Sequence, residues 1–458
     1  MTATPHAYIE EHAERILNEL IEFVRLPSVS TDPTYHDGVE QAAHWVAAQF
    51  EMLGLSDVRL MATSGHPAVY AEWLNAPGKP TILVYGHYDV QPPDPLDKWL
   101  NAPFTPEIRD GRLYGRGVSD DKGPLFIAIK AAEAYLRTVG QLPVNIKFLI
   151  EGEEEIGSPG VAALVRDNPE QFAADFVLSA DGAMWRIDEP SITISSRGMS
   201  GVNFTLFGPS KDLHSGRHGG AVMNPLHAMA QLIASLHDAD GRVAVAGFYD
   251  DVVDVSADDR AAIQNLPFDD DAYMQQVGVD ELFGEATYTT LERQWIRPTL
   301  ELNGMGGGYQ GPGSKSVIPA EAHAKITCRL VPNQDPADIR AKVIKHLETH
   351  LPPGTRIEFE PGFHGVAPYQ VTPGHIGLIV AEQALKAVYE QPPLMVRMGG
   401  TLPLATYFKQ YLGIDTIFFS FSTADEDFHA PNEFFRINRL YEGIAAWIHY
   451  WDLLASSE

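Results

Sequence analysis

Acidic and imidazole side chains recur just beyond the C-terminal ends of the β-rich runs of this sequence. Thr81–Tyr85 leads into Gly86, His87, Tyr88 and Asp89, and Asn145–Ile150 leads into Glu151, Glu153, Glu154 and Glu155. Phe176–Ser179 is followed by Asp181, and Thr416–Phe421 by Asp425, Asp427 and His429. Open α/β sheets hold their ligands in the crevice outside the carboxyl ends of the strands, so these segments would converge on one site if the strands share a sheet. Carboxylates gathered that closely repel one another and are costly to desolvate unless cations offset the charge. Oxygen and imidazole donors without a thiolate suit zinc, manganese or a similar ion. The loop Gly115–Pro124, GRGVSDDKGP, adds Asp120 and Asp121 where glycines allow a tight turn and Pro124 opens a helix. Taken singly, His87 reads as a loop histidine, EGEEE as a solvated acidic loop, and Asp120 with Asp121 as helix caps. Together they point to a metal centre.

Positioning such a centre takes an α/β scaffold. Amphipathic patterns predict helices over Ala7–Leu26, stopped by Pro27, and over Val39–Leu53, stopped by Gly54. Strands are expected at Val69–Trp73, Thr81–Tyr85, Asn145–Ile150 and Phe176–Ser179, with a helix at Pro124–Tyr135 among them, an alternation typical of an α/β sheet. From about Gly198 the character changes. A half-buried strand at Ser200–Phe207, a helix at Pro225–Leu236, an acidic stretch Asp250–Glu285, a strand at Ala324–Val331, a helix at Pro336–His350 and a strand at Arg356–Glu360 resemble a small α+β sandwich. A helical pattern from Pro373 through Tyr389, a strand at Thr416–Phe421 and a closing helix at Phe434–Trp451 return to the first architecture. The expected organisation is therefore a two-domain α/β chain, with residues 198–367 inserted between 1–197 and 368–458. The glycine-rich segment Gly304–Ser316 is read as a loop; it lacks the spacing before Lys315 that a phosphate-binding loop needs.

The composition narrows the partners. With 33 Lys and Arg against 61 Asp and Glu, the net charge of the 458 residues is −28, which disfavours nucleic acid and anionic lipid. Cys328 is the sole cysteine, excludes an intramolecular disulfide, and sits in an apolar run that predicts a buried thiol. The opening residues carry no signal-peptide pattern, and no apolar run reaches the ~18 residues that a membrane span requires, so a cytoplasmic protein is expected.

Six motifs, in order along the chain, resemble those of the M20 metallopeptidases: GHYDVQP at Gly86–Pro92, GRGVSDDKGP at Gly115–Pro124, EGEEEIGS at Glu151–Ser158, SADG at Ser179–Gly182, LHSGRHGG at Leu213–Gly220 and HAPNE at His429–Glu433. The similarity leans to the dipeptidase branch that includes carnosine dipeptidase and cytosolic nonspecific dipeptidase. The resemblance implies an α/β zinc-peptidase-like catalytic domain carrying a ferredoxin-like lid and dimerisation domain. It implies two divalent metals, zinc or alternatively manganese, with His87 and Asp181 on one, Glu155 and His429 on the other, and Asp120 bridging. Asp89 would orient His87, Asp121 would follow a cis peptide, and Glu154 would be the general base. Glu153 competes for that role on sequence alone; the family spacing before Gly157 selects Glu154 and Glu155.

In the insert, His214 corresponds to the histidine that stabilises the oxyanion in the partner subunit, and Arg329 to the residue that receives the substrate carboxylate. Gly400 and Thr401 lie in a loop whose N–H groups are suited to the same carboxylate, and Met398 stands where several relatives carry an acid. The expectation is a homodimeric two-metal hydrolase of dipeptides or short peptides with a free C-terminal carboxylate. An M20 enzyme that deacylates N-acyl amino acids is the alternative, since metals and base would be shared. A noncatalytic relative is disfavoured because every ligand and the base are present.

Overall fold

A computed structural model of the chain describes residues 4–362 and 365–457. It resolves into two units: one takes the chain to Ile194 with Val371–Val396 and the chain from Pro403, the other Ser195–Gln370 with Arg397–Leu402. The short return excursion Arg397–Leu402 thus groups with the second unit, whereas the sequence pattern placed it with the first.

Thr81–His87, Asn145–Glu151 and Phe176–Ser179 are buried on both faces, the signature of parallel strands covered on both sides. They form the centre of a six-stranded sheet in the order Ser56–Met61, Ala68–Trp73, Asn145–Glu151, Thr81–His87, Phe176–Ser179, Thr416–Phe418. The last four strands are mutually parallel, and the first two join antiparallel. On one face Tyr70, Leu83, Tyr85, Leu149 and Val177 pack with Val161, Val165, Leu404 and Phe408 from helices Pro159–Asp167 and Pro403–Leu412. On the other, Phe50 of helix His36–Leu53 lies 4.7 Å from Phe148, ring to ring. Helix Gly123–Thr138 is buried nearly all round, as its apolar composition dictates, and packs with the closing helix Ile437–Ser456.

The second unit is built on an antiparallel sheet in the order Thr299–Gly307, Glu321–Leu330, Gly198–Phe207, Arg356–Phe359. Glu321–Leu330 alternates between buried positions and exposed or half-buried ones, so one face meets a core and the other is left polar. Val202, Phe204, Ile326 and Cys328 on the inner face pack with Met229 and Leu232 of helix Pro225–Ala234 and with Ile339 and Val343 of helix Pro336–Thr349. Strand, helix, two strands, helix, strand is ferredoxin-like connectivity. The Cys328 thiol is buried as expected, and burial pushes its pKa up to about 12.

Four local expectations are corrected. The first helix is broken at His12, which leaves the helical region at φ −109° and ψ 15°, giving Pro5–Glu11 and Ala13–Val24. The expected loop at Gly304 begins inside a strand, Thr299–Gly307, whose glycines contribute no side-chain alternation to read. Phe434–Arg436 is a strand paired with Arg112–Tyr114, and the final helix starts only at Ile437; two adjacent buried phenylalanines fit either period. The Thr416–Phe421 strand ends at Phe418. Among the described residues no helix is long and apolar enough to cross a membrane.

Candidate active site

The parallel strands of the first unit deliver their C-terminal ends to one place. His87 is the last residue of its strand and Glu151 pairs with it in register; Asp181 follows Ser179 by two residues. Asp120 arrives on the turn Val118–Lys122, entered through Gly117 at φ +79°, where a Cβ would collide with Val90. The Asp120–Asp121 peptide is cis, as the family resemblance implied. His429 is held at φ +59°, a costly conformation for a residue with a Cβ.

Two donor groups result, sharing one carboxylate. His87, Asp120 and Asp181 form the first and Asp120, Glu155 and His429 the second, each with one donor atom per residue mutually within 4.8 Å. His87 Nε2 lies 3.1 Å from Asp120 Oδ1 and 4.0 Å from Asp181 Oδ1. His429 Nε2 lies 2.9 Å from Asp120 Oδ2 and 3.4 Å from Glu155 Oε2. Among the described residues Glu155 Oε1 is buried without a hydrogen-bond partner, while its other oxygen accepts from Gln91 at 2.8 Å. An orphaned carboxylate oxygen among nitrogen and oxygen donors fits a divalent cation, which would supply the missing partner.

Electrostatics point the same way. Burial pushes Glu155 up to about 8, aided by Asp120, and burial raises Asp181 and, well above its usual range, Glu154. Burial would also raise Asp120, but hydrogen bonds with His429 and His87 prevail and hold it low. The carboxylates outnumber the charge available from the protein, a deficit that bound cations would reverse. Glu153 turns away from this cluster, its buried carboxylate meeting Thr63 Oγ1 at 3.2 Å.

Sequence reasoning missed the residues that hold the bridging loop. Glu433 is fully buried, accepting from Arg116 Nη1 at 2.7 Å and from the backbone N–H groups of Gly117, Ser119 and Asp120 at 2.8, 2.9 and 3.2 Å. Glu426, also buried, accepts from Ser119 Oγ, from Thr423 N–H and from Arg436. The available signal was Arg116 inside a glycine turn, a fixed charge that needs a buried acid if the turn itself is buried.

The second unit carries the remaining predicted residues. His214 is exposed, in a two-residue strand paired with Val317. Its Nδ1 accepts from Gly216 N–H at 3.0 Å, which leaves the ring proton on Nε2 and a donor free. Arg329 donates from Nη1 to Thr401 Oγ1 at 2.8 Å, and Gly400 O accepts from Arg197 N–H at 3.0 Å. Met398 Sδ and Cγ lie 3.6 Å from where a Cβ on Gly400 would be.

The model of peptidase family M20/M25/M40 matches residues 83–452. The chain belongs to that family. As an M20 enzyme it is a metallopeptidase, and its relatives span nearly its whole length. It is 31% identical to the Cys-Gly metallodipeptidase dug1 of Schizosaccharomyces pombe, across 98% of this chain and 97% of the relative. With the human Beta-Ala-His dipeptidase it shares 30% identity over 94% of this chain and 88% of that protein. The crystal structure of the M20 family metallo-carboxypeptidase Sso-CP2 from Sulfolobus solfataricus superposes with a TM-score of 0.82 at 33% identity, covering 96% of this chain and 99% of that one.

Proposed function

We propose that this M20 peptidase hydrolyses the amide bond of dipeptides, or of similarly short peptides with a free C-terminal carboxylate, at a centre of two divalent metals. The observation that carries the reading is the pair of donor groups joined through Asp120 with Glu154 beside them, in a chain similar over nearly its full length to metallodipeptidases. His87 and Asp181 would hold one ion, Glu155 and His429 the other, and Asp120 both. Zinc, with manganese as the alternative, supplies when bound a water of lowered pKa and a Lewis acid for the scissile carbonyl.

Glu154 acts on protons. It takes a proton from water and returns it to the leaving amine, a task that suits a buried carboxylate among the metal ligands, whose pKa burial raises in the metal-free protein. Glu153, committed to Thr63, is unsuited to that task. Asp89 holds His87 and the backbone of Glu154 in place. Arg329 receives the substrate carboxylate, aided by the Gly400 and Thr401 loop. His214 Nε2–H donates to the tetrahedral oxyanion, acting from the partner copy of a homodimer. Mixed dimers of His214→Ala and Glu154→Gln chains test that assignment: recovery of about a quarter to half of wild-type activity supports action in trans, and none refutes it.

Hydrolysis of a dipeptide, its N-acetyl analogue and a tetrapeptide by the purified enzyme tests the whole reading, after metal removal and again after readdition of zinc or manganese. Metal-dependent cleavage of the free dipeptide is the expected result. Preference for the acetylated compound would transfer the enzyme to the deacylase alternative. Preference for the tetrapeptide would favour a carboxypeptidase, the activity named for Sso-CP2.

A further inference from the structure

Arginines that are withdrawn from water in this protein are matched with acids. Arg116 pairs with Glu433 at 2.7 Å, Arg297 with Glu285 at 2.6 Å, and Arg436 with Asp425 and Glu426 at 2.5 and 3.0 Å. Two half-buried arginines of the second unit break this pattern. The side chain of Arg197 donates from Nε to Gly399 O at 2.8 Å and from Nη1 to Arg297 O at 3.3 Å, and that of Arg329 donates to the Thr401 hydroxyl. All these acceptors are neutral, and among the described residues neither guanidinium forms an ion pair.

The two charges are neighbours. Arg329 stands opposite Met199 in the antiparallel register, and Arg197 lies two residues before Met199, immediately ahead of the strand and near enough for the Arg329 charge to act on it. Glu301, on the adjoining strand opposite Thr327, is a carboxylate whose field reaches Arg197, but among the described residues it forms an ion pair with neither arginine. Burial first, and then repulsion from Arg329, bring the Arg197 guanidinium down to about 10. Both residues grip one loop, Arg197 at Gly399 and Arg329 at Thr401. Gly399 leaves the room this needs: a Cβ there would come within 3.0 Å of Gln294 O and 3.3 Å of Arg197 Nη2.

We propose that Arg197 is a positioning and specificity residue for the substrate's terminal carboxylate, fixing the Gly399–Thr401 loop and completing with Arg329 a two-guanidinium seat whose counter-ion is the substrate. The inference rests on the peptidase reading above. Like charges held together without an ion-paired acid create a demand for a planar anion that a bidentate carboxylate meets. A carboxamide at the same position would leave the repulsion uncompensated, so the pair selects free-acid peptides.

The test compares a dipeptide with its C-terminal carboxamide on wild-type enzyme, Arg197→Lys and Arg197→Met, with folding checked by circular dichroism. In Arg197→Met, kcat/KM for the free acid should fall about 30-fold, through KM, while the carboxamide changes less than about threefold. Arg197→Lys keeps the charge without the fixed fork and should lose about three- to tenfold on the acid alone, which also serves if the methionine variant does not fold. Equal losses on acid and amide would mean that Arg197 is merely structural and would overturn the proposal, as would no loss on either. If the wild-type enzyme cleaves neither compound with metal present, the peptidase reading itself fails, and the seat with it.

Discussion

Asp89 accepts the backbone N–H of Glu154 on Oδ1 at 3.1 Å, and its Oδ2 takes the N–H of Glu155 at the same distance. His87 Nδ1 lies closer to the Asp89 carbonyl oxygen, 3.1 Å, than to its carboxylate, 3.4 Å. The residue expected only to orient an imidazole therefore ties a strand end that carries one donor group to the loop that carries the base and a member of the other. Asp89→Asn keeps one acceptor and turns an amide N–H toward a backbone N–H. Metal affinity should fall about 10- to 100-fold, with kcat reduced even at saturating metal. Metal titration followed by steady-state kinetics checks both, and unchanged affinity would limit Asp89 to a packing role.

Glu154→Gln preserves shape and removes the proton acceptor. The variant should bind metal as the wild type does, keep its thermal midpoint, and lose about 10²- to 10⁴-fold in kcat. Near-full activity would return the base assignment to Glu153, despite its engagement with Thr63.

Much of this was legible because the chemistry sits at strand ends. Thr81, Asn145 and Phe176 each begin a strand as the β-rich runs implied, and the rule that ligands gather at carboxyl ends points to His87, Asp181 and the acids between Glu151 and Glu155; only the family resemblance singled out Glu155 among them. The mixed α/β architecture was equally readable from alternating periods. The edge strand Thr299–Gly307 was hidden because glycine shows no alternation. Glu433 was hidden for a different reason: a buried acid that serves backbone N–H groups has the same sequence appearance as a solvated one, and its partner Arg116 lies 317 positions away.

Glu433→Gln tests that buried pair. It leaves Arg116 uncompensated, at a cost of about 3 kcal/mol or more in unfolding free energy. It also weakens the acceptor for Gly117, Ser119 and Asp120, so metal affinity should fall with stability. Denaturant unfolding and metal titration on the same preparation read the two losses together. A stability loss with intact metal binding would show that the bridging loop is held by other contacts.

Glu151 gives the metal-free protein a pH dependence of definite sign. Its carboxyl is fully buried, Oε1 accepts from Tyr85 Oη at 2.7 Å and Ser158 Oγ at 2.9 Å, and Oε2 has no partner among the described residues. Burial, reinforced by Asp89, pushes its pKa up to about 8 against the opposing effect of those hydrogen bonds. An unfolded glutamate ionises near pH ~4.3. Between these values the native state holds the proton and the unfolded state does not, so stability contributed by this group falls as pH rises, by up to about 1.4 kcal/mol per pH unit. Glu151→Gln, neutral throughout, removes that contribution. Urea midpoints of metal-free wild type and variant should therefore diverge in favour of the variant from about pH 5 to pH 8. Other titrating groups are common to both proteins, so the difference isolates Glu151; a difference constant with pH would mean that the buried carboxyl is already ionised at pH 5.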